Sequence, residues 1–264
     1  MRIDRRTTLG ILAAGAVPAA AGAAVLARAP APARLSVGDR LPRFDLLRPG
    51  ARTYLVSSMK GGRHIAQSVW RREVKFEAGD DGRPRLRISQ HWDGVGDPAG
   101  FIDRESLFEA ETFRPSLHTR ISTAKDGKRY VEGFRFGPRA VTALPGLADN
   151  MHPDFSVASD EAMYNFETDM EMLQTLPWAR GYAVSIPFFH PAPGSVPARY
   201  LWSVIAEEAL PGPDGRAIDC WVVGCDYNAG GEPTRFWLAK KTQQLVKMEG
   251  KGTDGAIRRK TLLF

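Results

Sequence analysis

The sequence predicts a mainly β, α+β fold: a curved antiparallel sheet or half-barrel of about ten strands, packed on one or two helices. Three observations carry this. Short runs of alternating apolar residues recur between Gly, Pro, Asp and Asn punctuation. One central stretch has a helical period instead. No βαβ rhythm and no repeating period occurs, which argues against a parallel nucleotide-binding sheet. With 43% apolar and 25% charged residues in 264, the chain has the composition of an ordinary globular protein.

Residues 1–33 read as an export signal peptide and linker, and 34–264 as a single β-rich domain. Arg5-Arg6 precedes an uncharged Ala/Gly/Leu/Val stretch over 9–27, and Ala29-Pro30-Ala31-Pro32 follows as an extended linker. A basic start, an apolar middle and a small-residue exit is the layout of a secretory signal. The adjacent arginines suit twin-arginine export, with cleavage after Ala23 or Ala27. An uncleaved anchor is the alternative, because the stretch approaches the ~20 residues that span a bilayer. The two cysteines are Cys220 and Cys225, so none stands at the leader exit as a lipoprotein would require. The expectation is a soluble periplasmic protein. Of the net charge of +6, half sits in the first 30 residues, where Arg2, Arg5, Arg6 and Arg28 face Asp4. The remainder is too weakly basic to indicate a nucleic-acid partner.

The first half of the body alternates strand and turn. Strands are expected over 53–59, 64–78, 83–92, 107–113, 117–122 and 129–136, with turns at Gly61-Gly62, Gly79-Asp80-Asp81-Gly82 and Asp126-Gly127. Arg83, Arg85 and Arg87 alternate with Leu86 and Ile88 as on a sheet with one wet face. Glu105, Glu109 and Glu111 read as a solvated acidic strand face. In the centre, Ser159-Asp160-Glu161 has the composition of a helix start. Met163, Phe166, Met170 and Leu173 then make one apolar helical stripe, with Asp160, Glu161, Glu167, Asp169 and Glu171 on the other faces and Pro177 as the end.

Strands resume over 182–188 and 199–209, and four more, 218–227, 234–239, 245–251 and 257–264, form a meander of hairpins. Cys220 and Cys225 lie on the first of these. If extended, their sulfurs point to opposite faces about 16 Å apart along the strand. A disulfide needs Cα atoms within roughly 7 Å. Two unbridged buried thiols are therefore expected, unless a bend at Gly224 brings them together.

The motifs of common catalysis are missing. The five histidines, His64, His91, His118, His152 and His190, make no close metal-ligand pair, and no Gly-x-Ser-x-Gly elbow or phosphate loop occurs. His91-Trp92-Asp93 and His152-Pro153-Asp154 place a carboxylate near an imidazole, as many turns do. No catalytic residue, metal ligand or cofactor is assigned.

Aromatic residues crowd the second half. Tyr200, Trp202, Val204 and Ala206 share one strand face; Leu201, Ser203 and Ile205 share the other. Apolar residues on both faces mean strands covered on both sides or forming the inner wall of a curved sheet. Two readings stand: a packed core closed by the central helix, or an apolar groove with that helix as its lid. The groove would be lined by Tyr200, Trp202, Trp221, Tyr227, Met163, Phe166 and Met170, the methionines giving an adaptable wall.

In the last block, Asp219-Cys220-Trp221-Val222-Val223, Phe236-Trp237-Leu238-Ala239-Lys240-Lys241-Thr242 and Leu245-Val246-Lys247-Met248-Glu249 form a strand, a Trp-Leu-x-x-x-Thr hairpin and a Lys/Glu-rich strand. The block resembles a family of exported bacterial proteins with a domain of unknown function, and is similar to the hairpin of LolA- and LolB-like periplasmic lipoprotein carriers. That resemblance implies an open, curved antiparallel sheet around helices, a periplasmic setting and, more weakly, lipid carriage. It carries over no functional residue. The function expected is non-catalytic binding of an apolar or lipid-like envelope ligand. The alternatives are an envelope glycan or ester hydrolase, which predicts His91 and Asp93 beside His190 in one cleft, and a scaffold of a membrane complex. The partners expected are a lipid or other apolar ligand and an envelope protein, without nucleic acid.

Overall fold

Alternation along each strand decides which residues meet. In Arg63–Ala78 the residues Trp70, Arg72 and Val74 are buried while Arg71, Lys75 and Phe76 are exposed; in Pro84–Gly94 the buried set is Leu86, Ile88 and Gln90. Successive side chains of a strand point to opposite faces, so one face of the sheet collects the large side chains. The computed structural model describes residues 31–79, 81–95, 100–227, 231–252 and 254–264. The export signal read in residues 1–30 lies outside the described residues.

Residues 31–264 form one compact unit. Its strands are β1 (Ala33–Arg34), β2 (Gly50–Lys60), β3 (Arg63–Ala78), β4 (Pro84–Gly94), β5 (Phe101–Glu109) and β6 (Arg114–Thr123). Next come β7 (Arg129–Phe136), β8 (Ala140–Ala143), β9 (Ser156–Ala158) and β10 (Tyr164–Asn165). After one short helix, α1 (Asp169–Leu173), follow β11 (Ala183–Phe189), β12 (Ala198–Pro211) and β13 (Ala217–Cys225). The chain ends with β14 (Thr234–Ala239), β15 (Leu245–Lys251) and β16 (Ile257–Leu263). β2 to β9 are one antiparallel meander and β11 to β16 another. β16 pairs antiparallel with β2, Leu263 opposite Thr53 and Ile257 opposite Met59, and so fuses them. β1 and β10 both lie parallel on β11.

The result is a large curled sheet of sixteen strands that does not close. Side chains, not ladder hydrogen bonds, hold its two ends near each other. Phe134 and Phe136 of β7 and Val141 of β8 pack with Met163 and Phe189 of β11 in a small cluster. Arg120 of β6 reaches the carbonyl of Pro191, just past β11. The main core fills the inside of the curl, built on Tyr54, Ile88, Phe108, Leu173, Phe188, Trp202 and Phe236. No helix among the described residues is long and apolar enough to cross a membrane.

The expected mainly β, curled architecture is present, with corrections. The sheet has sixteen strands, not about ten: β1, β8, β9 and β10 are two to four residues long, too short to show a period in sequence. The expected strand 107–113 instead starts at Phe101 and ends at Glu109, because Glu111 and Phe113 take positive φ in the turn. Ala33 pairs with Val184. The helix is five residues, not the long one expected from Ser159. Tyr164 and Asn165 give their backbones to β11. Asn165 Oδ1 then accepts the Glu167 N–H at 3.1 Å and opens a 3-10 turn, Phe166–Thr168, ahead of α1.

Cys220 and Cys225 are free and buried on opposite faces, as their spacing predicts. Leu201 and Ile205 are exposed, so β12 is an inner wall, not a strand covered on both sides. Outside β13, by contrast, Cys220, Val222, Trp237, Ala239 and Val246 make a small outer cluster.

Candidate functional site

The interior of the curl is charged. Glu167, Asp169 and Glu171, expected on the wet faces of a helix, are all buried. The reason is the inner face of the sheet, where β3, β4, β5, β6 and β16 present Arg72, Gln90, Arg104, Arg120 and Lys260. Isolated buried charge is costly, and pairing with hydrogen bonding offsets it. Arg72 is fully matched: Nε donates to Glu171 Oε1 at 2.7 Å and Nη2 to Oε2 at 2.5 Å, while Nη1 donates to Gln90 Oε1 at 2.8 Å and Nη2 also to the Glu167 carbonyl at 3.0 Å.

Glu167 is shared. Arg104 Nε lies 3.2 Å from Oε2; Arg120 Nη1 at 3.2 Å and His190 Nδ1 at 3.4 Å approach Oε1. Burial raises its pKa, but Arg104, the nearby imidazoles and Arg120 outweigh that and hold it down to about 2. Arg120 is also paired with Glu132, through Nε at 2.6 Å. Beside this group, Asn165 Nδ2 donates to Ser106 Oγ at 3.3 Å. Ser106 Oγ lies 2.8 Å from Nδ1 of the wholly buried His118.

A cavity of about 290 Å³ opens beside these pairs, walled by Trp70, Trp92, Arg104, Asp169, Tyr227 and Lys260. At its edge His190 is half exposed. One wall is a four-layer column. Trp70 and Trp92, directly opposite on β3 and β4, stack with ring centroids 3.5 Å apart and planes 8° apart. The Arg104 guanidinium covers the outer side of Trp92 at 3.3 Å, and Lys260 Nζ lies over Trp70 at 4.5 Å. Cations over indole faces are attracted by the ring quadrupole.

Several groups here are not fully matched. Among the described residues Lys260 makes no ion pair; its Nζ lies 4.0 Å from Met170 Sδ. Burial, opposed by Asp169, lowers its pKa to about 8. Asp169 likewise makes no ion pair. Its Oδ1 accepts the Met170 N–H at 2.7 Å, and burial raises its pKa. Among the described residues Arg104 Nη1 and Trp70 Nε1 are buried without a hydrogen-bond partner.

A second cavity, about 450 Å³, adjoins the first and shares Trp70, Trp92, Met248 and Lys260 with it. Val56 and Ile102 make its walls apolar, and Arg258 and Arg259 lie beside Lys260 on its lining. Both volumes are in the range of small-ligand sites.

The residues expected to line one apolar groove are dispersed. Phe166 and Tyr227 wall the charged cavity, and Tyr200 packs on both, its ring 5.5 Å from Phe166 and 5.7 Å from Tyr227. Trp202 and Met170 are filled core. Met163 belongs to the separate cluster with Phe134 and Phe189. Trp221 packs partly buried under Lys240. Trp70, Trp92, Arg104 and Lys260 were not singled out by sequence, although one signal was there. Gln90 and Trp92 are in phase with Leu86 and Ile88, so period two puts them inside.

The expected cleft of His91, Asp93 and His190 does not form. His91 lies on the outer face, its Nδ1 2.6 Å from Asp103 and its Nε2 3.1 Å from Asp93, whereas His190 contacts Glu167 within the curl. His152 approaches Glu132 at 3.5 Å. Among the described residues no group of three or more His, Cys, Asp or Glu could hold a metal ion.

No curated protein matches the chain. It is similar to a solved structure, a β-barrel-like protein with a domain of unknown function, DUF1849, from Brucella abortus. That match has 11% identity, covers 82% of this chain and 96% of the other, and has a TM-score of 0.47. Neither comparison links the chain to LolA or LolB. Residues 53–258 match the family described as a protein of unknown function, DUF3108. The chain belongs to the DUF3108 family.

Proposed function

We propose that this protein is a non-catalytic binding protein of the bacterial periplasm that takes an apolar or lipid-like envelope ligand inside its curled sheet. The carrying observation is the pair of adjoining cavities that meet at the Trp70–Trp92 stack, one charged and one walled by Val56, Ile102 and Met248. Such a pair suits an amphiphile: the apolar portion lies along the indoles while the polar end reaches the charged groups. The residues 1–33 leader and the hairpin resemblance to lipoprotein carriers support the periplasmic setting.

The test is native mass spectrometry of the protein purified without detergent, followed by titration with dodecyl-chain amphiphiles under tryptophan fluorescence. The expected result is a bound species that organic solvent extracts, or a saturable change in the indole emission that Trp92→Ala weakens at least tenfold. A protein with only its chain mass and no saturable response to any dodecyl amphiphile would overturn the reading.

A further inference from the structure

We propose that the rim of the curl bearing the β2–β3 turn docks on an anionic lipid surface, with the tip of that hairpin reaching the headgroups; this goes beyond the amphiphile reading and does not depend on it. Phase along β2 fixes what the rim presents. Tyr54 and Val56 point into the curl, and period two continues them with Ser58 and Lys60. On β3, Ile65 stands opposite Ser58 and Arg63 opposite Lys60; on β16, Arg258 stands opposite Ser58. The wall of the apolar cavity, which includes Val56 and Arg258, therefore runs outward onto a hairpin face of Ile65, Lys60 and Arg63. Arg63–Gln67 extend past Ser68, the last residue of β3 in register with β4 at this end, and residues 60–67 are all exposed. Gly61 and Gly62, at φ 57° and 75°, make the turn, so no bulky side chain stands at its leading edge.

Two properties of the rim match an anionic bilayer. The first is unopposed positive charge. Lys60, Arg63, Lys251 and Arg258 are exposed and, among the described residues, make no ion pair. Of the acids at this end of β15 and β16, Glu249 is held by Arg259 at 2.6 Å and Lys247 at 3.4 Å, which leaves Asp254 of the turn between them. Each Lys or Arg near an anionic bilayer is worth about fivefold in affinity. The second property is apolar surface in the same place. Ile65 is 55% exposed, and Val95, whose N–H donates to the Gln67 carbonyl, is 49% exposed. Cations flanking exposed apolar side chains suit a membrane interface, where the charges meet phosphates and the apolar groups sink below them. Gln67, Gly94 and Gly100 of this rim also line the apolar cavity, so docking sets that cavity against lipid.

The experiment is co-sedimentation with vesicles of phosphatidylcholine alone or mixed equally with phosphatidylglycerol. It uses the full chain and, to remove any lipid affinity of the apolar stretch over 9–27, the compact unit 31–264. Both are expected to prefer the mixed vesicles by roughly tenfold or more, and to lose that preference at about 0.5 M salt. Lys60→Ser/Arg63→Ser should weaken binding by roughly tenfold or more. Arg83→Ser/Arg216→Ser, the same charge change in exposed turns at the opposite end of the sheet, should leave it within about twofold. Both double variants should melt with the parent, since all four side chains are exposed. Ile65→Ser should weaken binding with no change in charge. Ile65→Cys carrying an environment-sensitive dye should shift to the blue on the mixed vesicles, and Arg83→Cys labelled the same way should not. No preference for the anionic vesicles, equal weakening by the two double variants, or the same dye response at both positions would overturn the docking proposal. So would a dimer of this chain that Lys60→Ser/Arg63→Ser dissolves and vesicles do not. Each of these failures leaves the amphiphile reading in place.

Discussion

Arg72→Met is expected to destabilise the protein by about 3–5 kcal/mol, because it leaves Glu171 as an uncompensated buried carboxylate. The side chains of Arg72 and Glu171 are 2% and 4% exposed, so solvent cannot take over the missing partner. The loss reaches further than one ion pair, since the same guanidinium also binds Gln90 and the Glu167 carbonyl. Glu171→Gln should cost somewhat less, as the amide still offers an acceptor to Arg72. In a unit of this size each kcal/mol moves the melting temperature by roughly 2–4 °C. Thermal unfolding followed by circular dichroism should therefore show a drop of about 6–20 °C. The double variant Arg72→Met/Glu171→Met should recover part of it, because an apolar pair needs no counter-charge. Single variants melting within 2 °C of the parent would show that water or other groups relieve the buried charge.

The second large effect is acid lability centred on His118. Ser106 Oγ accepts from Asn165 Nδ2 and is hydrogen-bonded to His118 Nδ1, while among the described residues His118 Nε2 is buried without a partner. Protonation would place an imidazolium, with two N–H donors to satisfy, in a wholly buried place. Burial first, and then Arg104 and Arg120, push the His118 pKa from 6.5 down to about 3. Between those values the unfolded chain binds the proton and the folded one does not. This contribution is therefore full above pH 6.5 and is lost as the pH falls towards 3. Its slope is on the order of 1.4 kcal/mol per pH unit. Glu167, held down to about 2, acts in the same direction below pH 4.5. His91, raised first by its hydrogen bond to Asp103, acts oppositely, but it is 42% exposed and its effect is screened. Cooling of the melting point by about 5–10 °C from pH 6.5 to 4.5 is expected. His118→Gln should flatten that slope. A melting point constant over this range, or an unchanged slope in the variant, would remove His118 from the account.

How far these groups were legible in sequence varies with their surroundings. The long strands were legible because their apolar residues alternate, as in Arg129–Phe136, Thr234–Ala239 and Leu245–Lys251. Each of these has the bounds its pattern predicts. The core role of the aromatic strands was half legible. Tyr200 and Trp202 read correctly as one face, but nothing local says that Trp202 is filled core and Tyr227 borders a cavity. The site was least legible. Lys260 ends the run Arg258-Arg259-Lys260, which reads as a solvated basic strand, and Arg72 follows Arg71 with the opposite fate. Glu167, Asp169 and Glu171 look like the wet side of a helix until their partners are known.

Sequence alone determined the mainly β class, the order of the long strands, the opposed free cysteines and the absence of a recognisable catalytic motif, because each depends on residues within one strand or one turn. Only the tertiary structure decided that β16 pairs with β2, that the sheet curls around Phe166–Leu176, and that its interior is charged. Arg72, Arg104, Arg120 and Lys260 stand on four strands spread over nearly 190 positions of chain, and the acids they face lie on another segment. The cost of burying Arg72, Arg104 or Arg120 is met by a carboxylate distant in sequence. No local pattern carries that information.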